Sequence, residues 1–328
     1  MGQETKISWT HHTANFWWGC QRVSPGCEHC YAEHLAVVRR KLPVWGPPST
    51  TKRERKKGVW TEVPKWNQAA REAGVRRRMF VSSMADIFED HPDVTQWRAD
   101  ALALLETCTD LDVQLLTKRP QNIMQMVPAS WHTAWPKHIW AGTTVEDKRR
   151  AHERIPHLLR VPAAVRFLSC EPLLESVDLT MLRVGEQFDA EGADFYNALA
   201  GRSYWDNGDT GIHGPRIHQV IVGGESGSDA RPFHVEWARD LLRQCRAAGV
   251  AAFCKQFGDN VRTRLDAEDG WWSPDMEWPH HNCGTGRVQF HGDGFGNYQI
   301  TGLSRAGADP EEWPREFRVQ QFPSAAGT

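Results

Sequence analysis

The sequence predicts an α/β fold, and a partial or complete parallel β/α barrel is its simplest architecture. Three observations support this prediction. Short apolar runs that end in small or polar residues recur along the chain. Segments with apolar residues at three- and four-residue intervals, the pattern of amphipathic helices, lie between these runs. Strands separated by helices need crossover connections, and such connections produce parallel sheets.

The predicted strands are the apolar runs themselves. A short strand at 15–18 opens the sheet, and the others are predicted at 79–83, 113–117, 138–143, 165–170, 219–223 and 250–255. The predicted helices between them cover 95–108, 146–159 and 234–248.

Three segments depart from this alternation. Residues 39–78 carry thirteen Lys or Arg against three Glu and are predicted as a basic insertion, which either binds phosphate or nucleic acid or forms a solvated surface. Residues 176–216, rich in Gly and Asp, are predicted as a second insertion in a barrel that covers 1–258. Residues 259–328 are predicted as a Trp-rich C-terminal appendage, with the His-His-Asn-Cys run at 280–283 as an ordinary loop.

The composition excludes several classes of protein. The chain of 328 residues has no apolar run long enough to span a membrane and no signal-peptide pattern, so a soluble, cytoplasmic protein without membrane partners is expected. Eight cysteines are too few for a disulfide scaffold. Five of them are dispersed and are expected to pack in the core, whereas the other three lie close together.

Polar residues gather where the predicted strands end. In parallel barrels the chemistry occurs at this edge, in the loops that follow the strands. The strand-end residues, in chain order, are Ser82, Ser83, Asp86, Thr117, Lys118, Arg119, Thr143, Thr144, Glu146, Ser169, Glu171, Gly223, Gly224, Glu225, Lys255 and Gln256.

The three close cysteines predict a soft-metal site. Six residues separate Cys20 from Cys27, and two separate Cys27 from Cys30. Three thiolates can hold an iron-sulfur cubane and leave one iron open to a substrate or cofactor. Structural zinc, with His29, His34 or Cys283 as the fourth ligand, is the alternative that the spacing leaves open.

Several segments resemble one known family. These segments are 17–33, 80–88, 115–120, 165–174 and 220–227. They resemble the phage-associated three-cysteine-motif family, which is similar to radical S-adenosylmethionine (SAM) proteins such as spore photoproduct lyase, and the resemblance covers roughly 5–258. It implies a TIM-like radical SAM barrel with a 4Fe-4S cluster on Cys20, Cys27 and Cys30, and SAM as the second cofactor. The gap of six residues after Cys20 departs from the commonest radical SAM signature, which has three.

The resemblance and the strand-end positions together suggest roles for individual residues. Gly223-Gly224-Glu225 resembles the element that usually holds the SAM amino group, although it follows a late strand here. Candidate cofactor contacts are Tyr31, Ser82, Ser83, Asp86, Thr143, Glu146, Ser169, Gly223, Gly224 and Glu225. The catalytic candidates are Lys118, Arg119, Glu171 and Lys255. The three cations either hold an anionic substrate or form structural ion pairs with Glu146, Glu171 or Glu225.

The predicted function is radical modification, rearrangement or repair of a nucleic-acid base or nucleotide. The basic block, sixteen tryptophans and the phage association point to this substrate class. Two alternatives stay open: a noncatalytic zinc- or cluster-binding nucleic-acid module, and a radical enzyme that acts on a peptide or small metabolite. The radical chemistry requires an electron donor, expected to be flavodoxin- or ferredoxin-like, while the oligomeric state is not predicted.

Overall fold

The computed structural model of the chain describes residues 5–183, 194–205, 210–264, 289–292, 297–301, 303 and 307–323. The chain divides into two compact units. Unit 1 holds the chain up to Thr144 together with Glu153–Phe167, and unit 2 holds Val145–His152 and Leu168–Pro323.

The described residues form seventeen strands and six α-helices. The strands are β1 (His12–Ala14), β2 (Trp17–Trp18), β3 (Glu54–Arg55), β4 (Arg77–Val81), β5 (Leu111–Thr117), β6 (Ile139–Thr144), β7 (Arg166–Cys170), β8 (Leu182–Arg183), β9 (Phe195–Asn197), β10 (Arg202–Tyr204), β11 (Thr210–His213), β12 (Gln219–Gly223), β13 (Phe233–His234), β14 (Ala251–Gln256), β15 (Val261–Arg264), β16 (Gln289–Gly292) and β17 (Asn297–Thr301). The helices are α1 (Tyr31–Glu33), α2 (Val59–Ala73), α3 (Thr95–Thr107), α4 (Ile123–Met126), α5 (Lys148–Leu159) and α6 (Val235–Ala248), and a π-helix at His34–Arg39 continues α1.

A seven-stranded sheet with the order β1-β4-β5-β6-β7-β12-β14 dominates the fold. The pairs β1/β4, β4/β5, β5/β6 and β12/β14 are parallel, with helices between successive strands. The predicted α/β class is therefore confirmed in its coarse form, a parallel sheet compatible with a partial β/α fold.

The predicted strand boundaries are close to those observed, with one exception. Strands β4 to β7, β12 and β14 each begin and end within two residues of the predicted runs. The first strand was predicted at 15–18, but β1 lies at His12–Ala14 and pairs with Met79–Val81. A three-residue strand of mostly polar residues is too short to show a period, whereas the apolar Trp17–Trp18 forms β2, antiparallel to β3.

Helix α2 lies inside the segment predicted as a basic insertion. It lies between β3 and β4 in the chain, buries Val63 and Ala70, and ends at Gly74, whose φ of 61° is the left-handed conformation of a helix C-cap. Asn67 is also buried and its side-chain oxygen accepts from the Asp110 backbone N–H. The basic residues of this segment thus surround a helix that packs in unit 1.

Two smaller sheets belong to unit 2. The sheet β11-β10-β9-β8 is antiparallel and occupies the predicted insertion at 176–216, and the sheet β13-β15-β17-β16 includes much of the described C-terminal segment. Trp313 is fully buried and stacks on Phe257 at 4.9 Å. The predicted loop at 280–283 lies outside the described residues, as do Trp271, Trp272 and Trp278.

Among the helices in the described parts of the chain, none combines the length and the apolar character that crossing a bilayer requires.

Candidate functional site

The three close cysteines lie on one loop of unit 1, between β2 and α1. All three are free thiols. Cys20 follows β2, Cys27 ends a 3-10 turn, and Cys30 is the residue before α1. The Ser24 hydroxyl lies 3.9 Å from Cys27 Sγ. We refer to residues 19–30 as the cysteine loop.

Gly19 fixes the start of the cysteine loop against its surroundings. Its backbone N–H donates to the Met84 carbonyl at 3.0 Å, just beyond β4. Its φ is +116°, and a Cβ there would lie 2.3 Å from the Val44 carbonyl oxygen and 2.7 Å from Arg53 Cδ. Only glycine fits a backbone conformation and an approach of this kind.

Arg119 ties the cysteine loop to the ends of two strands. It follows β5, and its guanidinium donates to Asp86 Oδ2 at 2.8 Å, beyond the end of β4. The same side chain donates to the Gln21 carbonyl at 2.8 Å and lies with Nη1 3.7 Å from Cys20 Sγ. One planar fork therefore holds both a strand-end carboxylate and the beginning of the loop.

A second arginine extends these contacts into a buried ion-pair network, which we define as Arg53, Glu89, Arg119 and Asp86. Arg53 donates to both Glu89 carboxylate oxygens at 2.8 Å, and Glu89 Oε1 lies 3.7 Å from Arg119 Nη2. Arg53 also donates to the carbonyls of Val44 and Gly46, each at 2.9 Å. All four side chains are more than nine-tenths buried, so the network is strongly ordered by its own hydrogen bonds.

The network sets the charge state of Asp86. Burial alone would raise the pKa of this carboxyl, but the Arg119 guanidinium and hydrogen bonds from Thr117, Phe88 and Lys118 hold the pKa below its usual value. Burial raises the pKa of the Cys20 thiol to about 12, against the opposite effect of Arg119. Burial also raises the pKa of Cys30, which the backbone N–H groups of Glu33 and Ala32 oppose.

Two serines, Ser82 and Ser83, follow β4. Ser83 contacts Asn15, which comes directly after β1, and Tyr31, which comes directly after Cys30. Asn15 donates to Ser83 Oγ at 3.0 Å and accepts from the Met84 backbone N–H at 2.8 Å. Tyr31 donates to the Ser83 carbonyl at 3.0 Å, although the residue is 59% exposed. Ser82 is 4% exposed, and its hydroxyl has no hydrogen-bond partner within the described residues.

The ends of β5 and β6 complete this edge of unit 1. The Thr117 hydroxyl donates to Asp86 Oδ1 at 2.6 Å, and the Lys118 backbone N–H donates to Asp86 Oδ2 at 3.0 Å. Lys118 Nζ lies 3.4 Å from the Thr144 hydroxyl, and Thr143 donates to the Thr117 carbonyl at 2.8 Å. The structure thus gathers the predicted strand-end residues of unit 1 around the Asp86 carboxylate and its neighbours.

The strand-end residues of unit 2 also make contacts with one another. Lys255 makes an ion pair with Glu171, and a Cβ at Gly223 would lie 3.3 Å from the Glu171 carboxyl carbon. Glu146 and Ser169 are both buried; the Ser169 carbonyl accepts from the Val145 backbone N–H. Of the predicted cations, Lys255 therefore pairs with a predicted glutamate, whereas Arg119 pairs with Asp86.

The Gly-Gly-Glu element is packed closely in unit 2. A Cβ at Gly224 would lie 2.2 Å from the Phe257 carbonyl oxygen, so the two backbones touch there. The Glu225 carboxylate accepts from the Arg231 side chain and from the Arg231 backbone N–H at 2.9 Å. Glu225 is thus engaged by a cation of its own loop, while its predicted contact with SAM stays a prediction.

Sequence reasoning missed four side chains of unit 1. Three of them, Arg53, Glu89 and Asn15, show no recognisable motif in the sequence. Their partners are distant in sequence or belong to segments predicted as insertion or strand. The fourth, Gln114 in the middle of β5, is fully buried, and neither atom of its amide has a partner in the part of the chain that the structure describes. Its cross-strand neighbours are Phe80 and Trp140.

The fit of the cysteine loop to a metal centre rests on its donor atoms. Within the described residues, no group of three or more His, Cys, Asp or Glu side chains converges as a formed metal site. The chemistry of the donors nevertheless fits an iron-sulfur cluster, since three free thiols lie on one short loop. Arg119, which lies within reach of Cys20 Sγ, is a donor that stabilises negative charge on sulfur.

The comparison with protein families gives one match, which covers residues 4–312. The family is described as "Protein of unknown function (DUF5131)". The chain belongs to this family. The match includes the cysteine loop and the strand ends of both units, and the family description names no activity.

No curated protein and no solved structure matches the DUF5131 chain.

Proposed function

We propose that the DUF5131 protein is a radical SAM enzyme whose cysteine loop holds a 4Fe-4S cluster through Cys20, Cys27 and Cys30. The observation that carries the proposal is the link made by Arg119, which joins the cysteine loop to the Asp86 carboxylate at the ends of β4 and β5. When bound, such a cluster supplies the electron that cleaves SAM to methionine and a 5′-deoxyadenosyl radical.

The residues of this chain have three tasks in the proposed reaction. The buried ion-pair network holds the cysteine loop in place, because Arg53 and Arg119 together bind the carbonyls of Val44, Gly46 and Gln21. The hydroxyl of Ser82, which no described residue engages, is a group available to a polar cofactor. Lys118 is the cation at the same edge that is available to an anionic group of SAM or substrate, since Arg119 is already paired.

The proposed substrate class is a nucleic-acid base or nucleotide. Gln114 carries an amide donor and acceptor with no described partner, between Phe80 and Trp140 on the neighbouring strands. A glutamine amide pairs with the edge of a nucleobase through one donor and one acceptor, and aromatic side chains pack on the face of such a ring. A buried polar amide in an aromatic setting therefore supports a planar, hydrogen-bonding substrate.

Anaerobic reconstitution tests the proposed chemistry. The purified full chain should bind iron and sulfide, and after reduction with dithionite it should convert SAM to 5′-deoxyadenosine. Cys20→Ala, Cys27→Ala and Cys30→Ala should each lose both properties, because three thiolates are needed to hold the cluster. Cys108→Ala, a buried cysteine of unit 1 outside the loop, is the matched control and should retain them.

Two results would overturn the proposal. Zinc without iron in the anaerobically purified protein would instead assign the loop to a structural zinc site. SAM cleavage that survives in the variant lacking all three cysteines would remove the loop from the chemistry.

A further inference from the structure

Exposed apolar residues concentrate on and just after the cysteine loop. Val23, Tyr31, Val37 and Val38 are 43%, 59%, 37% and 51% exposed, and the other large hydrophobic residues this exposed in the described chain are Val75 and Met181. Single exposed hydrophobic residues are ordinary, but four within sixteen residues of sequence are a concentration. Such a concentration is typical of a contact surface.

A run of three cations follows these residues directly. Arg39, Arg40 and Lys41 are all exposed, and none of the three forms an ion pair with a described residue. The nearby Glu33 is already engaged by Arg22 at 2.7 Å. We define the loop-side patch as Val37, Val38, Arg39, Arg40 and Lys41.

The other cations of the predicted basic insertion are different, since most have a carboxylate partner. These pairs are Lys52 with Asp93, Arg53 with Glu89, Arg55 with Asp100, Lys56 with Glu54, Lys65 with Glu62, Arg71 with Asp110 and Arg76 with Asp112. The positive charge of the segment is therefore least compensated at the loop-side patch.

The loop-side patch is joined to Cys30 by continuous helix. The His34 backbone N–H donates to the Cys30 carbonyl at 3.0 Å, and the π-helix His34–Arg39 carries both valines. Val38 stands eight residues after Cys30, which corresponds to about 12 Å along a helix axis. A protein bound at the patch would therefore approach the cysteine loop from its outer side.

We propose that the loop-side patch docks an acidic electron-carrier protein with a flavin or iron-sulfur centre, which reduces the cluster held by the cysteine loop. This inference rests on the proposed function. One electron leaves the reduced centre of the carrier, which is oxidised by one electron, and enters the oxidised cluster, which is reduced by one; no covalent bond forms or breaks. Weak electron-transfer complexes have small interfaces, and complementary charge accelerates their formation.

The composition of the patch favours a protein over a nucleic acid. Valine side chains offer no flat face on which a base stacks, but they pack well in the centre of a protein interface. Pairs of a cation and an aromatic ring occur elsewhere, with Arg55 4.6 Å above Trp60 and Lys56 4.0 Å from the Trp18 ring centroid. A nucleic acid would find better partners at those pairs than at the loop-side patch.

The test compares two reductants on the reconstituted full chain. SAM cleavage is driven either by dithionite, a small chemical reductant, or by a purified acidic flavodoxin kept reduced. The patch variant is Arg39→Glu/Arg40→Glu/Lys41→Glu, and the matched control is Lys57→Glu/Lys65→Glu/Arg71→Glu, which makes the same change in charge on other exposed residues. Val37→Ser/Val38→Ser tests the apolar part.

The patch variant is expected to lose SAM cleavage driven by flavodoxin but not SAM cleavage driven by dithionite. The flavodoxin-driven rate should fall about tenfold or more in the patch variant and should fall with added salt in the unmodified chain, because steering depends on unscreened charge. The dithionite-driven rate should be unchanged in all variants.

Equal flavodoxin-driven rates in the patch and control variants would overturn the docking proposal. A patch variant that loses salt-sensitive DNA binding instead, at an unchanged flavodoxin-driven rate, would assign the surface to nucleic acid. Absence of dithionite-driven cleavage in the unmodified chain would be a failure of the proposed function itself.

Discussion

The strand ends of unit 1 and unit 2 each pair a basic residue with a carboxylate, but they do so in different ways. In unit 1, Arg119 and Asp86 form an ion pair that continues into Arg53 and Glu89 and reaches the cysteine loop. In unit 2, Lys255 and Glu171 form a pair whose side chains remain 21% and 16% exposed. A basic residue and a carboxylate at strand ends thus belong in one case to a buried scaffold and in the other to a partly solvated pair.

The difference shows how a strand-end cation acquires its role. Arginine offers a planar fork with several donors, so Arg119 can hold a carboxylate and a backbone carbonyl at once. Lysine presents a single ammonium on a flexible stem, which can leave its partner for another anion. We therefore expect Arg119 to position the cysteine loop and Lys255 to remain available for exchange with a ligand.

The largest predicted effect is the loss of stability on removing Arg119. Arg119→Met leaves Asp86 as a buried carboxylate without its cation, and breaking a buried pair in this way costs about 3–5 kcal/mol. Urea unfolding of the full chain measures the free energy of unfolding. Arg119→Lys should recover part of the loss, because the charge is kept while the contact with the Gln21 carbonyl is lost.

Lys255→Met is the matched variant in unit 2. Because water still reaches the Glu171 pair, its loss should be about 1 kcal/mol or less. Equal losses at the two positions would mean that the two pairs are energetically alike and would remove the distinction between scaffold and exchangeable pair.

The sequence predicted the repeating elements of the sheet well and the buried network poorly. Strands such as β12 and helices such as α6 carry a period within their own residues, so their bounds follow from local pattern. The cysteine spacing is likewise local. By contrast, Arg53 meets Glu89 across 36 positions of sequence, and a pairing of this kind has no local signature.

The antiparallel sheet of unit 2 was missed for a related reason. Strands β8 to β11 have two to four residues each, and segments this short show no alternation that could be distinguished from a loop rich in Gly and Asp. The contacts of Asp86 show the same limit. Its position after a strand was predicted, but its partners Arg119 and Thr117 became clear only from their contacts.

A second comparison of the two units concerns two fully buried glutamines. Gln114 on β5 has no described partner for either amide atom, whereas Gln219 on β12 lacks a described partner only for Oε1, and its Nε2 donates to the Gln321 carbonyl at 3.0 Å. Burying an unmatched amide is unfavourable, so Gln114→Met should raise the free energy of unfolding by about 1–3 kcal/mol. Gln219→Met should not, because it removes an existing hydrogen bond.

The same pair of variants separates stability from function. If the Gln114 amide recognises the substrate, Gln114→Met should stabilise the protein and weaken substrate binding, while SAM cleavage without substrate is retained. A destabilised Gln114→Met variant would show that this amide supports the fold and would remove the support it gives to a nucleobase substrate. Denaturant titration, equilibrium binding of a nucleotide and the cleavage assay on one preparation provide the three measurements.

The smallest predicted effect is a pair of opposite pH dependences, one in each unit. The pKa of Asp86 is lowered despite its burial, because Arg119 and three hydrogen bonds favour the carboxylate. Its contribution to stability is therefore fully present above the unfolded value of about 3.9 and is lost as the pH falls through the lower folded value. Burial raises the pKa of Asp147 at the start of α5, so its contribution is present below about pH 4 and is lost as the pH rises through the higher folded value.

Variants at the two aspartates should change the pH profile in opposite directions. Between about pH 3 and 5, Asp86→Asn should make the rise of unfolding free energy with pH less steep, because it removes a group that is more acidic in the folded state. Asp147→Asn should make the rise steeper, and asparagine can still accept the Arg150 backbone N–H that Asp147 accepts at 2.7 Å. If both variants change the slope of unfolding free energy against pH in the same direction, the two carboxylates experience similar electrostatic fields. The buried ion-pair network would then not be what sets the charge of Asp86.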